Sequence, residues 1–322
     1  MRTLMIVGLA LGLVSTAYAS APGHVQESPE ALLQSMDRAV KQLNYEGIFV
    51  YQNGNALSTL KVVHAWDAGR VRERLVSKDG SRREVLIDGN SVTYVRPAVK
   101  SIVIMQRSVR PGLPGGLDSG SWKSAYYRPQ LGRSHRVAGM SCRQVVLKPV
   151  DKLRYARRIC VGLRHHLPLE TEVIDQHGNV VERMLFTSLT VVRSLPASEF
   201  APPVLGSGYT LKRVQDSGPT HASAWRFSSL PAGFKLFAER ERNLAADGQR
   251  VRQLVLSDGV STVSVFIAPA TADAAANGSF LRSGALNVYA AKVDGHDVTV
   301  MGEVPKRTIR DIAGALARQS NG

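Results

Sequence analysis

From Gly47 onward the chain alternates with a period of two. Short runs rich in Val, Ile, Tyr and Leu occupy 48–52, 57–65, 71–77, 84–87, 91–95 and 102–106. The breaks between them are Asn53-Gly54, Asp67-Ala68-Gly69, Asp79-Gly80 and Asp88-Gly89. Asn-Gly and Asp-Gly readily supply the positive φ angles of tight hairpins. The pattern predicts an antiparallel meander, not a series of βαβ units.

Ahead of the meander, Ser28-Pro29-Glu30 reads as a helix N-cap followed by proline at the first helical position. Leu32, Leu33, Met36, Ala39, Val40 and Leu43 then form one apolar stripe, and the helix is expected to stop between Asn44 and Gly47. Ile102-Val103-Ile104-Met105 is apolar at four successive positions, so that strand requires cover on both faces. One helix with a long meander describes a sheet curved around a helix or two, leaving either an apolar groove or a tightly packed core. In the groove reading, Ile102 and Ile104 line it. After Arg107 the alternation breaks through Arg110-Pro111-Gly112-Leu113-Pro114-Gly115-Gly116, followed by Trp122, Tyr126 and Tyr127. Trp122 and Tyr126, four apart, would share one face of a short helix. Such a segment serves equally as a flap, with these aromatics at the groove mouth, or as a plug in the core.

The meander resumes at 134–138, passes a hairpin containing both cysteines, and ends with runs at 169–176 and 180–192. The Pro- and Gly-rich stretch 196–219 reads as a linker between a large domain (20–195) and a small one (220–322). The small domain shows strands near 253–257, 261–267, 285–293 and 297–302, then a helix from about Pro305 with Ile309, Ile312, Ala313 and Leu316 on one face. The fold class expected is α+β: a large antiparallel sheet curved around helices, plus a small sheet covered by one helix.

Residues 1–19 have the form of a secretory signal peptide: Arg2, an apolar run over 4–14, and Ala17-Tyr18-Ala19 at the cleavage site. No cysteine follows that site, so a lipidated N-terminus is not expected. A soluble protein outside the cytoplasm, without access to ATP or reduced nicotinamide, is the expectation. The net charge of +15 is concentrated: between Trp66 and Arg164 there are 21 Lys/Arg against seven Asp/Glu. Such a field attracts anionic lipid headgroups, lipopolysaccharide phosphates or an acidic peptide, and nucleic acid is not expected outside the cytoplasm. The alternative is a solvated face that keeps the protein soluble. Arg82 and Arg83, beside a hairpin turn, are the candidate headgroup contacts. Read as strand neighbours, they would point to opposite faces.

Cys142 and Cys160 are the two cysteines, and an even count in an oxidising compartment favours a disulfide. A hairpin centred near Asp151 sets them directly opposite one another, within bridging distance. No Gly-x-Ser-x-Gly elbow, phosphate-cradling loop or His-Glu-x-x-His helix is present. His165-His166, read as strand neighbours, point apart, so neither a metal nor a cofactor is expected. Glu170 and Glu172 are expected on an exposed strand face. Catalysis is not expected.

Several segments, in order, resemble the RseB/MucB family. They are Leu43-Asn44-Tyr45-Glu46, Asp79-Gly80-Ser81-Arg82-Arg83-Glu84-Val85, Leu167-Pro168, Leu230-Pro231-Ala232-Gly233-Phe234, Ser257-Asp258-Gly259 and Gly302-Glu303-Val304-Pro305. The cysteine pair is more similar to the MucB branch. The resemblance implies a large domain like the lipoprotein carriers LolA and LolB, an unclosed antiparallel β-barrel around helices, with a small domain beside it. It also implies a periplasmic protein that binds the periplasmic region of an anti-sigma factor such as RseA or MucA and shields it from the site-1 protease. Lipopolysaccharide or another envelope lipid would release it, without turnover. The residues alone leave open a LolA-type lipid or lipoprotein carrier, and a homo-oligomer.

Overall fold

The structure, a computed structural model, describes residues 27–67, 69–106, 120–203, 207–214, 224–243, 250–271 and 277–318. The signal-peptide reading (1–19), the Pro/Gly-rich run 110–116 and residues 204–206 and 215–219 of the expected linker lie outside the described residues.

Helix α1 (Pro29–Gln42) begins as the sequence dictates: the Ser28 hydroxyl accepts from the Ala31 N–H at 3.1 Å, with proline in the first turn. It ends slightly before the expected stop, and β1 (Asn44–Asn53) follows at once. The meander then runs through β2 (Ala56–Asp67), β3 (Arg70–Ser77), β4 (Glu84–Asp88), β5 (Ser91–Arg96) and β6 (Ser101–Gln106). Gly54, Gly80 and Gly89 carry the positive φ that their turns require. A second series comprises β7 (Tyr127–Val137), β8 (Met140–Pro149), β9 (Ala156–Gly162), β10 (Pro168–Ile174) and β11 (Val180–Val192). β11 pairs with β1, so the two series join in mid-sheet. Residues within the expected linker form β12 (Thr210–Val214), which adds to β6 in parallel. The twelve-stranded sheet therefore runs β12-β6-β5-β4-β3-β2-β1-β11-β10-β9-β8-β7 and does not close.

The α1 stripe packs on one face of this sheet: Leu32, Leu33 and Met36 share a cluster with Val145, Leu147, Ile159 and Val161. Alternation then assigns the other strands. Tyr45, His64, Glu73, Ile87, Val92 and Met105 stand opposite one another in a single row, on the side where Ala39 and Leu43 pack. Val103 shares that face. Ile102 and Ile104 therefore lie on the face away from α1, and the expectation that they line the helix-side groove is corrected. The cover on their face comes partly from the turn Ala197–Phe200, where Phe200 lies 4.8 Å below the Arg72 guanidinium.

The smaller domain contains β13 (Trp225–Phe227), β14 (Lys235–Asn243), β15 (Arg250–Ser257), β16 (Thr262–Pro269), β17 (Phe280–Ser283), β18 (Leu286–Val293), β19 (His296–Gly302), α2 (Lys306–Ala315) and β20 (Leu316–Arg318). Six of these strands form a sheet in the order β14-β15-β16-β19-β18-β17. Ile309, Ile312 and Ala313 of α2 pack on Leu254, Val265 and Val300. Leu316, expected on the helix, instead starts β20, which pairs with β13.

Candidate functional site

Four surfaces carry the residues that the sequence singles out. The first is the seam between the domains. Arg154 is fully buried there, its Nη1 donating to Asp258 Oδ2 at 2.6 Å and its Nε and Nη2 to Asp151 at 3.0 Å. The guanidinium lies 4.6 Å from the Tyr126 ring centre, 5.4 Å from Phe234 and 5.9 Å from Tyr127. Desolvated cation–π contacts of this kind are worth about 2 kcal/mol. Ser124 Oγ donates to the Asp258 carbonyl at 3.0 Å, and the Tyr127 hydroxyl meets Ser261 Oγ at 3.3 Å. Gly233 is tied to glycine twice over: its φ is +89°, and a Cβ there would run into the Tyr126 ring. Arg157–Glu303 (2.8 Å), Asn287–Tyr155 (2.9 Å) and Thr308–Leu153 carbonyl (2.6 Å) extend the seam. Trp122 and Tyr127 are buried and Tyr126 is half-buried, so the aromatic group is clamped between the domains, as a plug rather than a flap. Trp122 sits in a three-residue 3-10 turn, and the short helix expected to carry Tyr126 with it is absent.

The second surface is the helix-side face of the large sheet, which is buried at its centre. Its polar group is the row Tyr45–His64–Glu73, with the Tyr45 and His64 rings stacked at 4.7 Å. Burial pushes the Glu73 carboxyl up to about 8, and its Oε1 and the Tyr45 hydroxyl lack hydrogen-bond partners. A carboxyl kept neutral in this way can donate a hydrogen bond at pH 7.

Third is the basic turn before β4. Arg82 and Arg83 precede the strand rather than lying on it, so the opposite-face reading does not apply. Arg82 binds the buried Glu84 at Oε1 (2.6 Å), while Arg74 takes Oε2 at 2.7 Å. The Arg83 side chain is exposed, and of the two arginines it is the one whose guanidinium carries no ion pair among the described residues.

The fourth surface surrounds the disulfide. Cys142 and Cys160 are bonded, with Cα atoms 5.4 Å apart. Their register differs from the expected one, because Cys142 opposes Gly162 and Cys160 opposes Gln144. The turn is centred one residue later than Asp151, whose carboxylate accepts the Leu153 N–H at 2.9 Å, and the bridge is diagonal. Replacing both cysteines by Ser is expected to cost about 3 kcal/mol in the chain-entropy view of an 18-residue separation. Urea unfolding of the two proteins measures it.

Gln144, Cys160, Glu170 and Leu185 form one row across four strands; Val146, Arg158, Glu172 and Arg183 form the next. Their neighbours Val145 and Ile159 face α1, so both rows lie on the opposite face. β7 slips register between Leu131 and Ser134 and turns over them; a Cβ at Gly132 would sit 2.8 Å from Gln144 Cβ. His135 Nε2 reaches Glu170 at 3.0 Å, and its Nδ1 lies 3.5 Å from Cys160 Sγ. The expectation that Glu170 and Glu172 are exposed is overturned: they are 4% and 6% exposed, paired with Arg183 and Arg158. A cavity of about 300 Å³ opens above them. Although His135, Cys142 and Cys160 bring three ligand atoms together, both sulfurs are committed to the disulfide and offer no thiolate. His165 and His166 lie in the turn after β9, His166 with positive φ, not on a strand.

An unclosed β-sheet packed against a helix, joined to a second sheet domain through a buried ionic seam, defines a two-domain binding scaffold. Residues 28–204 match the MucB/RseB N-terminal domain and residues 219–317 the MucB/RseB C-terminal domain. The chain belongs to the MucB/RseB family. It is 30% identical over 328 residues to the sigma factor AlgU regulatory protein MucB of Pseudomonas aeruginosa, covering 97% of this chain and 96% of that one. It is 27% identical over 317 residues to the sigma-E factor regulatory protein RseB of Salmonella typhimurium, covering 95% and 96%. The fold is that of MucB solved in complex with MucA(peri): TM-score 0.70, 24% identity, 91% of this chain and 100% of that one.

Proposed function

We propose that this protein regulates an envelope-stress sigma factor by binding the periplasmic region of a membrane-spanning anti-sigma factor. The observation that carries the reading is the match of both family domains, in order, along the chain. The relatives named as regulators of sigma-E and AlgU, and the MucB relative solved with MucA(peri), support it. In this reading the protein is exported by residues 1–19, acts as a stoichiometric shield against the site-1 protease, and performs no turnover. Lipopolysaccharide or another anionic lipid releases it, with acyl chains on the helix side of the large sheet and phosphate at Arg83. Trp122, Tyr126 and Tyr127 act on both ligands through the seam that they hold.

Mixing the purified protein with the periplasmic segment of its own organism's anti-sigma factor is expected to give a saturable complex in calorimetry. No heat and no co-elution would remove the reading. A LolA-type carrier would instead retain and pass on an acylated cargo, and would not need a second domain fixed by buried ion pairs. Arg83→Ala is expected to raise the lipid concentration needed for release by roughly tenfold or more, since a charge-assisted contact is worth ~1.5–3 kcal/mol. Titrating lipid into the preformed complex measures the shift.

A further inference from the structure

We propose that the cavity beneath the β7–β8 hairpin is a binding site for a phosphate monoester, separate from the helix side of the sheet and from Arg83. Arg133, Arg136, Arg158 and Arg183 line it. Glu170 and Glu172 are its only acidic lining residues among those described, so four guanidiniums meet two carboxylates and leave a formal +2. That charge matches a phosphate dianion.

The carboxylates set the geometry. Arg158 gives its Nε to Glu172, and Arg183 gives Nε and Nη2 to Glu170. Each guanidinium has five N–H donors, so both Nη groups of Arg158 and Nη1 of Arg183 remain for a ligand. Two guanidiniums held by buried carboxylates are preorganised, and forks of this kind match the oxygens of a phosphate. Arg133 and Arg136 are exposed at the rim. Arg136 also bonds the Gly139 carbonyl, and Arg133 makes no ion pair among the described residues. The floor is rigid, because the disulfide ties β8 to β9 while His135 ties β7 to Glu170. A space of about 300 Å³ admits a phosphate or a phosphorylated sugar, at the lower end of ligand pockets.

The test titrates inorganic phosphate into the full chain at constant chloride, comparing wild type, Arg133→Gln/Arg136→Gln and Arg83→Ala. The rim pair is exposed, so its loss leaves the buried Arg–Glu pairs intact. One saturable site is expected, weakened about tenfold or more by the rim pair and unchanged by Arg83→Ala. Equal affinity in all three proteins, or no saturable binding, overturns the proposal. Flotation with phosphatidylcholine vesicles with and without phosphatidic acid then separates two sources. Loss of flotation in the rim variant assigns the site to lipid headgroups, and unchanged flotation with lost phosphate binding assigns it to a soluble ester. Complex formation between the rim variant and the anti-sigma segment reports on the proposed function independently.

Discussion

Asp258→Ala is expected to destabilise the protein by about 3–5 kcal/mol, the usual cost of leaving a buried charge without its partner. Both side chains of the Arg154–Asp258 pair are fully excluded from solvent. Asp258 also accepts the backbone N–H groups of Val260 (2.9 Å) and Ser261 (2.6 Å), so the turn that shapes the seam loses its cap as well. Asp151→Ala is the control. That carboxylate is 27% exposed and shares the same arginine, so water can replace it and the loss should be smaller. Wild type is expected to unfold in urea as one unit, because the seam buries groups of both domains. Asp258→Ala should separate the transition in two. Trp122 in the large domain and Trp225 in the small one provide the fluorescence to see it. A single transition with unchanged midpoint would show that the seam contributes nothing.

Glu73→Gln should stabilise the protein above pH 8 and change little near pH 4. Burial raises the folded-state carboxyl from its ordinary 4.5 to about 8. Between those values the folded chain keeps a proton that the unfolded chain has released. The stability associated with Glu73 is therefore complete below about pH 4.5, falls as pH rises through the window, and is gone above it. A shift of this size corresponds to roughly 3–5 kcal/mol. Glu182 is also pushed up, chiefly by burial, so the wild-type profile contains a second contribution. The difference between wild type and Glu73→Gln isolates the first. Parallel denaturation curves from pH 5 to 9 would contradict the assignment.

The meander was legible because hairpin chemistry is local: Asn53-Gly54, Asp79-Gly80 and Asp88-Gly89 each announce a turn without reference to the rest of the chain. Helix α1 was legible for the same reason, from its cap and stripe. Register was harder. One side-chain bond, from Asp151 to the Leu153 N–H, displaces the β8–β9 turn enough to make the disulfide diagonal. Strand β10 alternates Glu with Thr and Val and reads as half-exposed, but β7 folds over its polar face and buries Glu170 and Glu172 against arginines. β14 was missed because Glu239, Arg240 and Glu241 conceal the alternation; Glu239 and Glu241 both pair with Arg252 on the neighbouring strand. The seam joins Arg154 to Asp258 across about a hundred residues, and no local pattern signals it. The sites followed the same division. The basic turn before β4 was visible, whereas the facing of Ile102 and Ile104 depended on a register counted across six strands from Tyr45.

The central claim is that this chain shields an anti-sigma factor, and cleavage measures it most directly. The periplasmic segment of the anti-sigma factor is incubated with its site-1 protease while the purified protein is titrated in. The account predicts that cleavage falls linearly and stops near one equivalent, and that anionic lipid restores it. Cleavage that continues at its original rate in the presence of excess protein would contradict the account.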